Sequence, residues 1–461
     1  MPDVRYGCSL ARCALGLLLA GVFALGCSPA PPLSVQASSP TPPAPPTGAA
    51  STPPPSAVPP AQQADLVVWI GGEGCLSTLG ATGWRSFDFS GIVRDIAIDS
   101  QGNAIAAPGL RVCNGRLLRD LLPRAPGGEQ DAVAIDPQGR IWAGYYGGIA
   151  MLDGGRWTEY PLPGGASVRA NTVRDLAIDA QGVVWVATGE GIASYDGRAW
   201  RRHVDKPGPG AVIVDCLLID WRGWLWAAHE KGISVLRGTA WEHFPLDIIS
   251  FVRQIADDPS GRILAGGLYH GISFFDGKDW LPLADDTTGL PANRTTALAV
   301  DGRGRIWAGT RSGLAIYDEG RWLTYQEANS GLGDDRVSAL AIAGLGPSAL
   351  PPLAATRYGQ LAGKVTLQRR PVAGVRVALC PELAAGQEFA DNPCESARYG
   401  RVTRTGIDGR YLFDQVPLGH YAVAAEVEPG RWVTPMRVLS AMSYRVREGE
   451  TTVAETIEGA D

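Results

Sequence analysis

An Asp-x-x-Gly turn recurs through the middle of this chain, and a period of roughly 40 residues restricts the fold more than any local propensity does. The aspartates are Asp99, Asp136, Asp179, Asp220, Asp258 and Asp301, at intervals of 37, 43, 41, 38 and 43 residues. Residues 297–325 show the unit most fully. An apolar alternating run ends at Asp301, a turn holds Gly304, a second run carries Trp307, a third ends at Tyr317 and a fourth carries Trp322. Period-two alternation punctuated by Gly and Asp predicts four short antiparallel strands per unit and no helix.

Six full units are visible, with second strands such as IWAGYYGG at 141, VWVATGEG at 184 and IWAGTRSG at 306. A seventh is split between the ends of the array. Residues 67–87 supply a second, third and fourth strand with no first strand before them, and residues 336–344 supply a first strand with nothing matching after it. Joining the two closes a ring and removes the strand edges that an open sheet would expose. The fold expected is therefore all-β, a seven-bladed β-propeller over residues 65–344.

The flanks differ in composition. Residues 1–26 place Arg5 and Arg12 before a short apolar run that ends in small residues, which predicts an export signal. Residues 24–27, Ala-Leu-Gly-Cys, resemble a bacterial lipoprotein box, which implies a lipid on Cys27. Residues 27–64 are dominated by Pro, Ala, Ser and Thr and read as an extended spacer. After the array, 345–356 reads as a linker. Strands separated by Gly- and Pro-rich turns then predict a β-sandwich over 357–461, with Val375, Val377, Leu379, Tyr411, Phe413, Tyr421 and Val423 facing inward.

A net charge of -6 argues against a phosphate-binding surface, and no basic run interleaved with aromatics is present, so nucleic acid is not an expected partner. Cys380 and Cys394, close in sequence across one loop of an exported protein, are the natural disulfide pair. A bond between Cys75 and Cys113 is not expected, and Cys216 reads as a small buried hydrophobe. Trp69, Trp142, Trp185, Trp226 and Trp307 repeat at one position, which favours packing between blades over stacking on a sugar or base. Each aspartate of the series stands alone in its turn, so capping of that turn explains it better than calcium does.

The repeats resemble the two-component regulator propeller type, with units reading Asp-x-x-Gly-x-Ile/Leu-Trp-x-Gly-Thr-x-x-Gly-Leu. Asp301 to Leu314 and Asp179 to Ile192 match best. The resemblance implies an extracytoplasmic binding role. Gly363 to Thr366, Pro371 to Val375 and Thr405 to Gly419 look like a carboxypeptidase regulatory-like, transthyretin-type domain, which implies an accessory module without catalysis.

No catalytic motif or phosphate loop is present, so no cofactor, metal or catalytic residue is assigned. Strand parity places the candidate ligand-binding side chains on the face where second strands turn into third strands: Tyr145, Tyr146, Glu190, His229, Glu230, Tyr269, His270 and Arg311. Five residues before each strand-ending Asp stand Arg94, Asp131, Arg174, Asp215 and Arg253, an alternation of sign expected to ring the channel mouth on that same face. Either each Arg pairs with the Asp of the next blade, or a polar or anionic ligand inserts among Arg94, Arg174 and Arg253. The function expected is an envelope-anchored binding or scaffold protein with a polar ligand or an envelope protein as partner, touching the membrane through its lipid alone. The alternative is an extracytoplasmic enzyme. Seven-bladed streptogramin lyases use His and Glu with a divalent cation on such a face, where His229, Glu230 and His270 would serve.

Overall fold

A lone carboxylate in a tight turn must find donors close by, and the repeat supplies them. In a computed structural model that describes residues 68–461 apart from 81–82, 122–129, 163–170, 204–211, 246–251, 268–270, 286–287, 344–346, 348, 381–387, 390–399, 435, 438–439, 442 and 460–461, Asp301 shows the arrangement in full. Its Oδ1 accepts the backbone N–H groups of Arg303 and Arg305, both at 3.0 Å, while Gly304 takes a φ of 83° that a side chain would resist. Its Oδ2 accepts the Trp307 indole N–H at 3.0 Å and the Arg305 Nε–H at 2.7 Å. The same grip joins Asp136 to Trp142 at 2.9 Å, and Asp179 to Trp185 and Asp220 to Trp226 at 3.0 Å each. The indoles of Trp69, Trp142, Trp226 and Trp307 are buried, and that of Trp185 is half-buried.

The described residues contain no α-helix and form seven four-stranded antiparallel sheets before residue 345. Six are contiguous in sequence, at 95–120, 130–161, 173–203, 214–245, 252–284 and 295–325. The other joins the two ends of the array: Ala339–Ile342 pairs antiparallel with Val68–Gly71, with Ala341 opposite Trp69. The innermost strands touch in cyclic order, and Ala339–Ile342 lies between Thr295–Val300 and Asp95–Ile98, so the sheets form a closed propeller.

Neighbouring sheets mesh at a small residue late in each second strand. A Cβ added to Gly71 would stand 2.5 Å from Val93, and one added to Gly309 would stand 2.5 Å from Val337. Gly266 faces Thr295 of the next sheet in the same way. Ala107, Ala187 and Ala228 occupy the position elsewhere and are fully buried. The repeat needs a residue this small because a branched side chain of the next sheet presses into the gap.

Beyond the ring, Tyr358–Leu367 pairs with Arg410–Pro417 and with Thr451–Val453 and Ile457–Gly459. Gly419–Glu428 pairs with Arg376–Cys380, Arg431–Val433 and Tyr444–Val446. Leu361, Val365, Tyr411 and Phe413 from the first group meet Val377, Leu379, Tyr421 and Val423 from the second in one buried cluster. The expected linker is in fact tied to the ring: the Pro347 carbonyl accepts from Arg305, the Pro351 carbonyl accepts from the Tyr325 hydroxyl at 2.7 Å, and the Ala354 N–H donates to Asn329. A charged joint lies beside it. Asp334 of the ring is fully buried between His420 Nε2 at 3.0 Å and Arg445 at 3.5 Å, and Arg445 also reaches Glu327 at 3.0 Å.

Deleting 336–343 removes the inner strand of the joined sheet and its contacts on both sides. The expected outcome is loss of a single cooperative melting transition, with aggregation, in differential scanning calorimetry. Unchanged melting would contradict closure by this strand.

Candidate functional site

Near the start of the innermost strand, five sheets carry a register shift at Asp131, Arg174, Asp215, Arg253 and Thr296. A bulge re-aims one side chain out of the ladder. These are the positions five before the turn aspartate, so backbone irregularity and charge alternation coincide at the start of the innermost strands, the end expected to form the channel mouth. Arg94 meets Asp131 at 3.2 Å and Arg174 meets Asp215 at 3.5 Å, each pair crossing to the next sheet. Thr296 donates its hydroxyl to the Val337 carbonyl, and Ser338 donates to the Val93 carbonyl at 2.6 Å, which are the equivalent crossings further round. The ring of charges is therefore largely an inter-sheet fastening. Arg253 breaks the series: it is exposed and, among the described residues, has no hydrogen-bond or ion-pair partner, because the next sheet offers Thr296 where an Asp would stand.

One residue further along, two carboxylates fasten the same seams from inside. Asp95 accepts the Val133 N–H at 2.8 Å and Asp175 accepts the Leu217 N–H at 2.7 Å, both from the next sheet. Burial pushes Asp95 up to about 6 and Asp175 up to about 7, the latter also through the charge of Asp95, even though each accepts two backbone N–H bonds.

Several loop candidates prove to belong to the interior. His229 ends the strand Leu225–His229 and is buried. Its Nδ1 accepts the Lys231 N–H at 3.2 Å, so the proton lies on Nε2, which donates to Ser234 Oγ at 3.0 Å. The Ser234 hydroxyl also hydrogen-bonds His243 Nδ1 at 3.2 Å. Burial, then the neighbouring His243 and Lys231, lower the His229 pKa to about 4. This corrects the expectation of a surface ligand: no lone pair of His229 points outward. The reason is local, since the last residue of the second strand caps the tight turn to the third, as Thr188 and Thr310 do by donating to Gly191 and Gly313 at 2.9 Å. Tyr145 holds the same position. It is buried, bonds Glu159 at 3.2 Å, and is pushed up to about 12 by burial and by the Glu159 charge.

Tyr146 and Glu230 are exposed, while Glu190 and Arg311 are half-buried and engaged with neighbours. Tyr269, His270, Cys27 and Cys394 lie outside the described residues. Cys380 is disulfide-bonded, whereas Cys75, Cys113 and Cys216 are free. A hollow of about 500 Å³ lies at the outer strands, lined by Phe87 and Leu118, where Arg111 is held by Asp120 at 3.3 Å.

The repeat family described as "Two component regulator propeller" matches residues 289–312, which contain the Asp301 turn and Trp307. No curated protein matches the chain. Among solved structures, the chain is similar to the extracellular domain of a hybrid two-component system from B. thetaiotaomicron, at 12% identity over 84% of this chain and 73% of that one, with a TM-score of 0.37. It is similar to PorZ, a surface component of the type-IX secretion system of Porphyromonas gingivalis, at 15% identity over 84% of this chain and 56% of that one, with a TM-score of 0.41. A third is virginiamycin B lyase from Staphylococcus aureus, at 14% identity over 50% of this chain and 83% of that one, with a TM-score of 0.43.

His229 and Asp175 act oppositely on stability. Between about 4 and 6.5 the unfolded chain binds a proton that folded His229 refuses, so this group costs stability as pH falls. Between 3.8 and about 7 folded Asp175 keeps a proton that the unfolded chain has lost, so this group costs stability as pH rises. Asp175→Asn should therefore lose less stability than the wild type as pH rises through that window, measured as the urea midpoint at each pH. An identical slope in both proteins would remove Asp175 from the titration.

Proposed function

We propose that this chain is a cell-envelope binding or scaffold protein. It is exported, lipid-anchored through Cys27 and held off the membrane by the Pro-rich spacer up to residue 64. A seven-bladed propeller presents its channel mouth to a polar or anionic group on a ligand or envelope protein. The C-terminal part is an accessory transthyretin-type sandwich, with Cys380 bonded to Cys394. Seven sheets in a closed cycle support the blade count, and two groups of strands sharing one core support the sandwich.

The observation that carries the binding role is Arg253. Arg94 and Arg174 already hold Asp131 and Asp215, whereas Arg253 is exposed and, among the described residues, has no ion-pair partner. Exposed pairs such as Arg94–Asp131 contribute only about 0 to 1 kcal/mol, so they set register more than they set stability. The enzymatic alternative fares less well, since His229 has both ring nitrogens engaged inside its own sheet.

Two experiments test this reading. In affinity capture from solubilised envelope, with residues 65–461 as bait, Arg253→Ala should lose the captured component while its melting temperature stays unchanged. Arg94→Ala and Arg174→Ala should each lower stability by about 0 to 1 kcal/mol and keep most binding. Equal capture by the Arg253 variant would sink the assignment of the mouth. Separately, Cys27→Ala should move the protein from the membrane fraction to the soluble fraction, and continued membrane association of that variant would refute the lipid anchor.

A further inference from the structure

The turn face, at the opposite end of the innermost strands from the mouth, is built from Asp-x-x-Gly turns whose second residue is small or polar in most sheets: Ser100, Pro137, Ala180, Pro259 and Gly302. One turn departs from this. Asp220-Trp221-Arg222-Gly223 places an indole there that is 70% exposed. Hydrophobic burial cannot account for it, because the core tryptophan of that sheet is Trp226, which is fully buried and already bonded to Asp220.

The exposed ring is nonetheless held rigidly. The Arg222 guanidinium lies 5.0 Å from the centre of the Trp221 ring and 4.4 Å from that of Trp224, and Arg237 lies 4.5 Å from the Trp224 ring. Arg222 is fixed by Asp220 at 3.1 Å and by the Gly261 carbonyl of the next sheet at 3.2 Å, and Arg237 is fixed by Glu242 at 2.9 Å. The indole edge rests on Gly261, where an added Cβ would stand 2.6 Å from Nε1. Alternating indoles and guanidiniums thus support one face of Trp221 and leave the other to solvent.

A second departure adjoins it. The residue before the turn aspartate is Ile98, Ile135, Ile178, Ile219 and Val300 in five sheets, and Ile342 stands at the matching place before Ala343 in the joined sheet, but the remaining sheet has Asp257. Asp257 is half-buried, and its carboxyl lies against the Trp221 backbone N–H.

We infer that Trp221 is the stacking platform of a carbohydrate site, taking one pyranose ring of an uncharged polysaccharide on its open face with a hydroxyl donated to Asp257. A rigid indole is about the size of a sugar ring and offers its π-face to the ring's C–H groups. A carboxylate acceptor beside an apolar plane is the pairing that a sugar, with polar edges and an apolar face, requires. The chemistry disfavours other ligands. Arg222 and Arg237 are already engaged by carboxylates, and Asp257 would repel an anion. A protein interface would need a broad apolar centre, which the small and polar residues of the neighbouring turns do not supply. This site lies on the face opposite Arg253 and does not depend on the mouth.

The test uses the full-length protein in detergent, titrated with cellohexaose, maltohexaose and chitohexaose by calorimetry and tryptophan fluorescence. At least one should bind and perturb the fluorescence. Trp221→Ala should weaken that binding about tenfold or more, the fold-change that ~1.4 kcal/mol represents, with an unchanged melting temperature. Trp221→Phe, which keeps an aromatic face, should weaken it less. If Trp221→Ala does not fold, Trp221→Gln against Trp221→Phe decides in the same way. Arg253→Ala should leave the titration unaltered. Binding of none of the three sugars, equal binding by the variants lacking the ring, or loss of binding in Arg253→Ala would each overturn the assignment.

Discussion

The bond from a turn carboxylate to an indole six residues further on is the interaction on which the ring depends. In four sheets it ties the end of the innermost strand to the second strand, so that turn and strand pair are set by one side chain. Asp136 shows the balance. Burial pushes its pKa up, but bonds from the Trp142 indole and from the Arg140 backbone and guanidinium outweigh that and leave it below the ordinary value. A buried carboxylate with this many donors stays charged, and replacing it by an apolar residue would leave the indole N–H unsatisfied. Where the indole is missing, other donors take its place: Asp258 holds Arg262 and the Ser260 hydroxyl, and Asp99 holds the Asn103 amide.

Closure imposes a second requirement, since each sheet must fit the next equally well around a full turn. Three devices recur around the seams. A glycine or alanine in the second strand receives a branched side chain of the following sheet, a residue at the start of the innermost strand reaches across in four sheets, and in two sheets a half-buried aspartate accepts a backbone N–H from beyond the seam. The chemistry of the reach varies while its geometry does not. Arg94 and Arg174 use charge, and Thr296 and Ser338 use a hydroxyl on a carbonyl. Register is thereby specified without long ion-pair networks.

What was legible in the sequence follows from this periodicity. A demand met once per sheet leaves a mark once per sheet, so the aspartates, glycines and tryptophans disclosed the strands, and the unmatched segments at 67–87 and 336–344 disclosed the joined sheet. Features that occur once left no such mark. His229 and Tyr145 looked like loop residues because a strand's last residue and a turn's first residue differ by one position, and only their bonds, His229 to the Lys231 N–H and Tyr145 to Glu159, distinguish them. The joint around Asp334, Arg445 and His420 was illegible because its partners stand about 90 to 110 residues apart with no pattern linking them. The alternation of Arg and Asp at the mouth could be read, but whether those charges face one another or a ligand is a matter of distance.

The departures from the repeat are not scattered evenly. Arg253 without a paired Asp, Asp257 in place of an aliphatic residue, and Trp221 on an otherwise small-residue turn all fall between 214 and 284, in two adjacent sheets. A repeat position that serves only closure should carry the residue that closes best, because neighbouring sheets contribute to stability through their shared seams. Substitutions that give up an ion pair, bury part of a carboxylate and expose an indole at three nearby positions each work against that preference. Their concentration on one side of the ring, at both of its faces, sets this arc apart from the remaining sheets, which keep to the residues that closure favours.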